Sequence, residues 1–72
     1  MEIGLLAIGA GLAVGLAGLG TGYAQGNIGS AGAGVIAEKP ELIGTMILLI
    51  AIPETVLILG FAVAAMIILL LT

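Results

Sequence analysis

Glu54, Gln25 and Thr55 are the residues of this 72-residue chain whose types and spacing could do chemistry. Glu54 lies in Ile52-Pro53-Glu54-Thr55, a carboxylate inside the otherwise apolar run from Leu42 to Leu71. A charged group at the centre of a membrane helix costs roughly 2.5 to 3.5 kcal/mol on insertion scales, so a carboxylate placed there marks a functional site. Gln25 offers an amide carbonyl and amide donors, Thr55 a hydroxyl, and the backbone carbonyl of Ile52 a further oxygen. Such a set of hard donors around one acid can hold either a proton or Na⁺, and lone pairs alone do not choose between them. A low-dielectric layer disfavours the ionised carboxylate, so a loaded, neutral site can face lipid where an empty, anionic one cannot. The other reading of the same residues is a protonated Glu54 tied permanently to Gln25 as a structural hydrogen bond.

Composition fixes the solvent in which this chemistry would occur. The chain is 62% hydrophobic and 7% charged, too apolar to disperse in water and too short to bury a large core. Its charges are Glu2, Glu38, Lys39, Glu41 and Glu54, a formal net charge of -3, which leaves no basic footprint for nucleic acid. With no Cys and no His, thiol chemistry and the usual zinc, haem and iron–sulfur ligand sets are excluded. The N-terminus lacks the Lys or Arg that opens a secretory signal, so residue 1 is read as the mature start.

Two helices must position the site. The first is predicted over residues 3–36, a charge-free segment whose second half carries Thr21, Tyr23, Gln25, Asn27 and Ser30. At about 1.5 Å per residue it exceeds the roughly 30 Å hydrocarbon layer, so its last turns project into headgroups or water. Eleven of the 13 glycines fall in it. A glycine-rich helix survives in lipid because the alternative is unsatisfied backbone. On a wheel of about 100° per residue, Gly4, Gly11, Gly15, Gly18, Gly22, Gly26 and Gly29 form one stripe about 80° wide. Ala10, Ala13, Ala17, Ala24 and Ala31 make a second small-residue strip, and Leu5, Leu12, Leu16, Leu19 and Tyr23 a bulkier face. Gly11-xxx-Gly15 and Gly18-xxx-Gly22-xxx-Gly26 permit close backbone approach. One strip alone would suit a tight dimer or a contact within the chain; two strips favour a closed, repetitive assembly of identical hairpins.

Ala37-Glu38-Lys39-Pro40-Glu41 interrupts the apolar pattern over residues 37–41. Pro40 disfavours helical geometry at Lys39 and suits the first turn of a following helix, which makes this the polar turn of a hairpin. Lys39, the sole basic residue, assigns the loop to the cytoplasm by the positive-inside tendency. Its charges are either simply solvated or a docking surface for a soluble partner. The second helix is predicted over 42–71, with Pro53 freeing a backbone carbonyl and kinking the helix beside Glu54. Gln25 lies 14 residues before Lys39 and Glu54 lies 14 after Pro40, so a symmetric hairpin brings them to one depth. The fold class is thus an all-α membrane protein, a two-helix transmembrane hairpin assembling into a homo-oligomeric ring.

The glycine-rich first helix with Gly22-Tyr23-Ala24-Gln25-Gly26, the loop Ala37 to Glu41, and Pro53-Glu54-Thr55 together resemble the c subunit, or proteolipid, of rotary ATP synthases. The resemblance spans essentially the whole chain. It is nearest the archaeal and bacterial vacuolar-type single-hairpin form, since the F-type loop usually reads Arg-Gln-Pro where this chain has Glu38-Lys39-Pro40. It implies a non-catalytic ring subunit in the cell membrane that turns against a stator, coupling ion flow to ATP synthesis or hydrolysis. By that resemblance Glu54 carries the ion, with Gln25 and Thr55 as partners; the Ile52 carbonyl as a further ligand and Pro53 as kink support come from the reading of the residues themselves. Gly11, Gly15, Gly18, Gly22, Gly26 and Gly29 would pack the ring, and Glu38, Lys39, Pro40 and Glu41 would meet the central stalk. The stator subunit would supply the positive charge that this chain lacks at depth, and lipid would cover the rest. Sodium-type rings often place further hydroxyls where this chain has Val56 and Leu59, so H⁺ is favoured over Na⁺ as the coupling ion. A small pore-forming oligomer and a structural membrane adaptor are the alternatives. A pore would prefer a polar stripe along a whole helix, whereas only Glu54 and Thr55 are polar in the interior of the second helix.

Overall fold

A computed structural model describes residues 2–72 and shows two long antiparallel helices, α1 (Ile3–Glu38) and α2 (Ile43–Leu71), joined by Lys39 and a 3-10 turn over Pro40–Leu42. The hairpin is 55 Å long and only one helix pair wide. Helix α1 runs to the residue before Lys39, because the steric demand of a proline acts on the position directly preceding it. Lys39 accordingly leaves helical geometry (φ -134°, ψ 80°), while its amide still closes α1 by donating to the Val35 carbonyl at 2.7 Å. Pro40 opens the next turn, where its missing N–H leaves nothing unsatisfied. Among the described residues no backbone takes positive φ, so the reversal uses proline rather than a left-handed glycine.

Pro53 sits inside α2 without ending it. Because a proline nitrogen carries no hydrogen, the Leu49 carbonyl loses its helical donor, and the ladder resumes beyond it.

Burial shows what solvent this shape expects. Among the described residues only Leu6, Ala10, Thr21, Gly32 and Ala64 are buried, whereas Leu19, Tyr23 and Leu69 are more than 70% exposed. Both helices are long and apolar enough to cross a membrane. A surface this apolar on every side is compatible with acyl chains or further protein and not with water.

Packing between the helices uses the alanine strip. A Cβ on Gly60 would lie 2.7 Å from both the Ala13 carbonyl oxygen and the Ala17 Cβ, so α2 presses its bare backbone against α1 at that point. Helices associating in lipid gain from such close van der Waals contact, since burial from water supplies little there. The glycine stripe of α1 is directed elsewhere. Side chains added at Gly11, Gly15, Gly22, Gly26 or Gly29 would meet nothing within 4 Å, and at Gly18 only a Leu57 methyl at 3.6 Å.

Gly60→Ala forces backbone apart and should destabilise the hairpin by about 1 to 3 kcal/mol. Gly34→Ala, where a methyl meets nothing within 4 Å, should be neutral or slightly stabilising. Equilibrium unfolding of the two variants in detergent measures the contrast, and equal effects would contradict the close approach at Gly60.

Candidate functional site

At mid-height of the hairpin, two polar side chains of α1 face α2 from successive turns. Thr21 and Gln25 are four residues apart and so share a face, the spacing at which helical neighbours stack. The Gln25 Nε2 donates to the Glu54 carboxylate Oε2 at 2.8 Å and to the Ile50 carbonyl at 3.2 Å. The Thr21 hydroxyl donates to the Pro53 carbonyl at 3.0 Å. Gln25 and Glu54 are half-buried, while Thr21 is 3% exposed.

These bonds also orient the Gln25 amide. With two oxygens within reach of one nitrogen, rotating the amide by a half-turn would set its carbonyl oxygen against the Ile50 carbonyl and an ionised Glu54, so the N–H₂ end faces α2. Glu54 therefore receives a donor from its neighbouring helix, and the described residues present it with no cation.

The remaining residues singled out from the sequence are placed differently. Thr55 is exposed, and among the described residues no hydrogen bond joins it to Glu54 or Gln25. Ile52 is 58% exposed; the α2 carbonyls that accept side-chain donors from α1 are those of Ile50 and Pro53. Glu38, Lys39, Pro40 and Glu41 are exposed at the turn end, about 20 Å from Glu54 along the helix axis. Asn27 bonds within its own helix to the Tyr23 carbonyl at 2.9 Å, and both side chains are exposed. Thr21 was not singled out as a site residue by the sequence pattern. The signal for it was its spacing, one turn before Gln25 and on the same face.

A family model described as the ATP synthase C subunit matches residues 8–67, a span that contains Thr21, Gln25, Pro53 and Glu54. The chain belongs to this family. Among its relatives, the K subunit of the A-type ATP synthase of Methanocaldococcus jannaschii is 54% identical over 61 residues, 85% of this chain and 28% of the relative. Subunit c of the V-type proton ATPase of Candida tropicalis is 43% identical over 61 residues, 85% of this chain and 38% of the relative. The K subunit of the V-type sodium ATPase of Enterococcus hirae is 39% identical over 66 residues, 92% of this chain and 42% of the relative. The chain thus spans between about a quarter and two-fifths of the length of these relatives. Membership, with the two apolar helices, makes it an integral membrane protein of the proteolipid type.

The strength of the Gln25–Glu54 contact is measurable. A double-mutant cycle of Gln25→Ala and Glu54→Ala, read by unfolding in detergent, should give a coupling of about 0.5 to 2 kcal/mol, the range found for polar pairs between membrane helices. A coupling of zero would mean that the two side chains do not meet in the membrane.

Proposed function

We propose that the hairpin is a non-catalytic rotor-ring subunit of a rotary ATP synthase or ATPase, with its coupling ion carried on Glu54. The carrying observation is the amide of Gln25 donating to the Glu54 carboxylate at 2.8 Å, midway along an apolar hairpin of the ATP synthase proteolipid family. A carboxylate so placed crosses the bilayer region at low energy only when neutralised. It therefore loads and unloads where a partner supplies water or positive charge, and moves past lipid in between. The stator membrane subunit fills that role, and the exposed loop around Glu38, Lys39, Pro40 and Glu41 meets the central stalk on the cytoplasmic side of the cell membrane. Rotation then couples ion flow to ATP synthesis or hydrolysis in a soluble head.

The coupling ion in this reading is H⁺. Gln25 turns its N–H₂ end toward the carboxylate and the Ile50 carbonyl, an arrangement suited to a protonated or hydrogen-bonded acid rather than to Na⁺, which takes oxygen ligands. The name of the Enterococcus hirae relative mentions sodium and that of the Candida tropicalis relative mentions protons, so kinship leaves the ion open and the amide orientation carries the choice.

Identical neighbours make the ring. The stripe Gly11, Gly15, Gly18, Gly22, Gly26 and Gly29 is bare of contacts from α2 apart from Leu57 at Gly18, which supports close packing of α1 against further copies. Thr55 and the Ile52 carbonyl, on the outer side of α2, would join a site only when hairpins stand side by side.

Three measurements test this reading. Glu54→Gln in the reconstituted complex should abolish ATP-driven ion pumping to background while leaving ring assembly intact; pumping that persists would remove Glu54 from its role. A hydrophobic carbodiimide should modify Glu54 of the wild-type protein, and modification slowed by millimolar Na⁺ at constant pH would overturn the choice of H⁺. Gly15→Ile with Gly22→Ile should eliminate the ring, seen as loss of the oligomer on native electrophoresis, with helical content unchanged.

A further inference from the structure

Thr21 is the most enclosed polar side chain described, and it does something unusual with its hydroxyl. A threonine inside a helix commonly bonds back to a carbonyl of its own helix one turn earlier. Here the hydroxyl instead crosses to α2 and donates to the Pro53 carbonyl at 3.0 Å, 32 residues away in sequence. That carbonyl belongs to the peptide group whose nitrogen is the backbone nitrogen of Glu54. In helical geometry it already accepts from the amide of Leu57, so Thr21 is a second donor to it. One turn along α1, Gln25 holds the Ile50 carbonyl and the carboxylate itself. Two adjacent turns of α1 thus grip α2 at Ile50 and Pro53, and Glu54 projects from the gripped segment.

We propose that Thr21 is a positioning residue for Glu54: its bond to the Pro53 carbonyl sets the axial register at which Gln25 meets the carboxylate, and so tunes how readily Glu54 exchanges its ion. This rests on the ion-carrying reading above. The geometry gives Thr21 leverage, because sliding α1 by two residues' rise, about 3 Å, would stretch the 2.8 Å bond that crosses from Gln25 to the carboxylate to about 4 Å, out of hydrogen-bond range. Among the described residues no other ionisable side chain of the hairpin lies where it could take over this tuning. Glu2, Glu38, Lys39 and Glu41 lie at its ends, and Tyr23 on α1 is 78% exposed on a different face from Thr21.

The test follows the rate of carbodiimide modification of Glu54 against pH in the full chain, for wild type, Thr21→Val and Thr21→Ser. Valine keeps the shape and removes the hydroxyl; serine keeps the hydroxyl. The expected result is a displaced pH profile for Thr21→Val, with the rate at fixed pH changed about threefold or more, and a profile for Thr21→Ser that overlays wild type. A Thr21→Val profile that overlays wild type, with assembly intact, would overturn the proposal. Should Thr21→Val fail to assemble, infrared spectroscopy of wild-type protein carrying a ¹³C carbonyl at Pro53 decides. Its amide band should move when Glu54 is modified, and a band that stays fixed counts against any link between the two. Wild-type Glu54 that is unreactive at every pH would instead remove the ion-carrying reading, and this role for Thr21 with it.

Discussion

Everything else in the hairpin depends on a carboxylate held in a low-dielectric layer by an amide from the facing helix. Placing Glu54 at mid-membrane is unfavourable by several kcal/mol if it is charged and unpartnered, and a single N–H donor at 2.8 Å offsets only part of that. The contact is therefore strong enough to orient the acid and too weak to lock it. That intermediate strength suits the ion exchange proposed for Glu54, since a permanently satisfied group cannot turn over. Glu54 is also half-buried rather than enclosed, so one side of it stays open to whatever stands beside the hairpin.

The rest of the architecture follows from giving α1 three different faces. The alanine side packs against α2, most closely where Gly60 meets Ala13 and Ala17. The glycine side carries no Cβ and contacts little within the hairpin, leaving a smooth backbone surface for another helix. The third side bears Leu5, Leu12, Leu16, Leu19 and Tyr23, all more than half exposed. Small residues in this helix thus form two separate sets, one in contact with α2 and one not, and only contacts between the helices tell them apart. In water such a glycine content would unravel a helix, whereas in lipid the backbone has no alternative hydrogen-bond partner.

Much of the site could be read by counting from the turn. Gly32 with Met46, Gln25 with Glu54 and Ala17 with Gly60 touch or nearly touch, and the members of each pair lie at similar separation from Lys39 and Pro40. Regular helices of constant rise make that count reliable. Thr21 escaped it because its partner is a main-chain carbonyl, and every residue of α2 carries one; no residue type on the opposite helix announces the bond. Thr55 illustrates the converse. Adjacency to Glu54 in sequence suggests a shared site, but consecutive helical residues point about 100° apart, so in a single hairpin the hydroxyl is exposed and only a neighbouring copy could bring it to the carboxylate.

By itself, the sequence determined that the chain is a membrane hairpin with one interior acid, because apolar length, a proline-marked charged turn and a lone carboxylate are local properties that no packing can reverse. Tertiary structure decided which small-residue strip joins the two helices, which end of the Gln25 amide faces Glu54, and that Thr21 bonds across to Pro53. Those outcomes depend on the rotation of each helix about its axis and on their relative register. Both are set by side-chain packing summed over the whole length of contact, and no single stretch of residues encodes them.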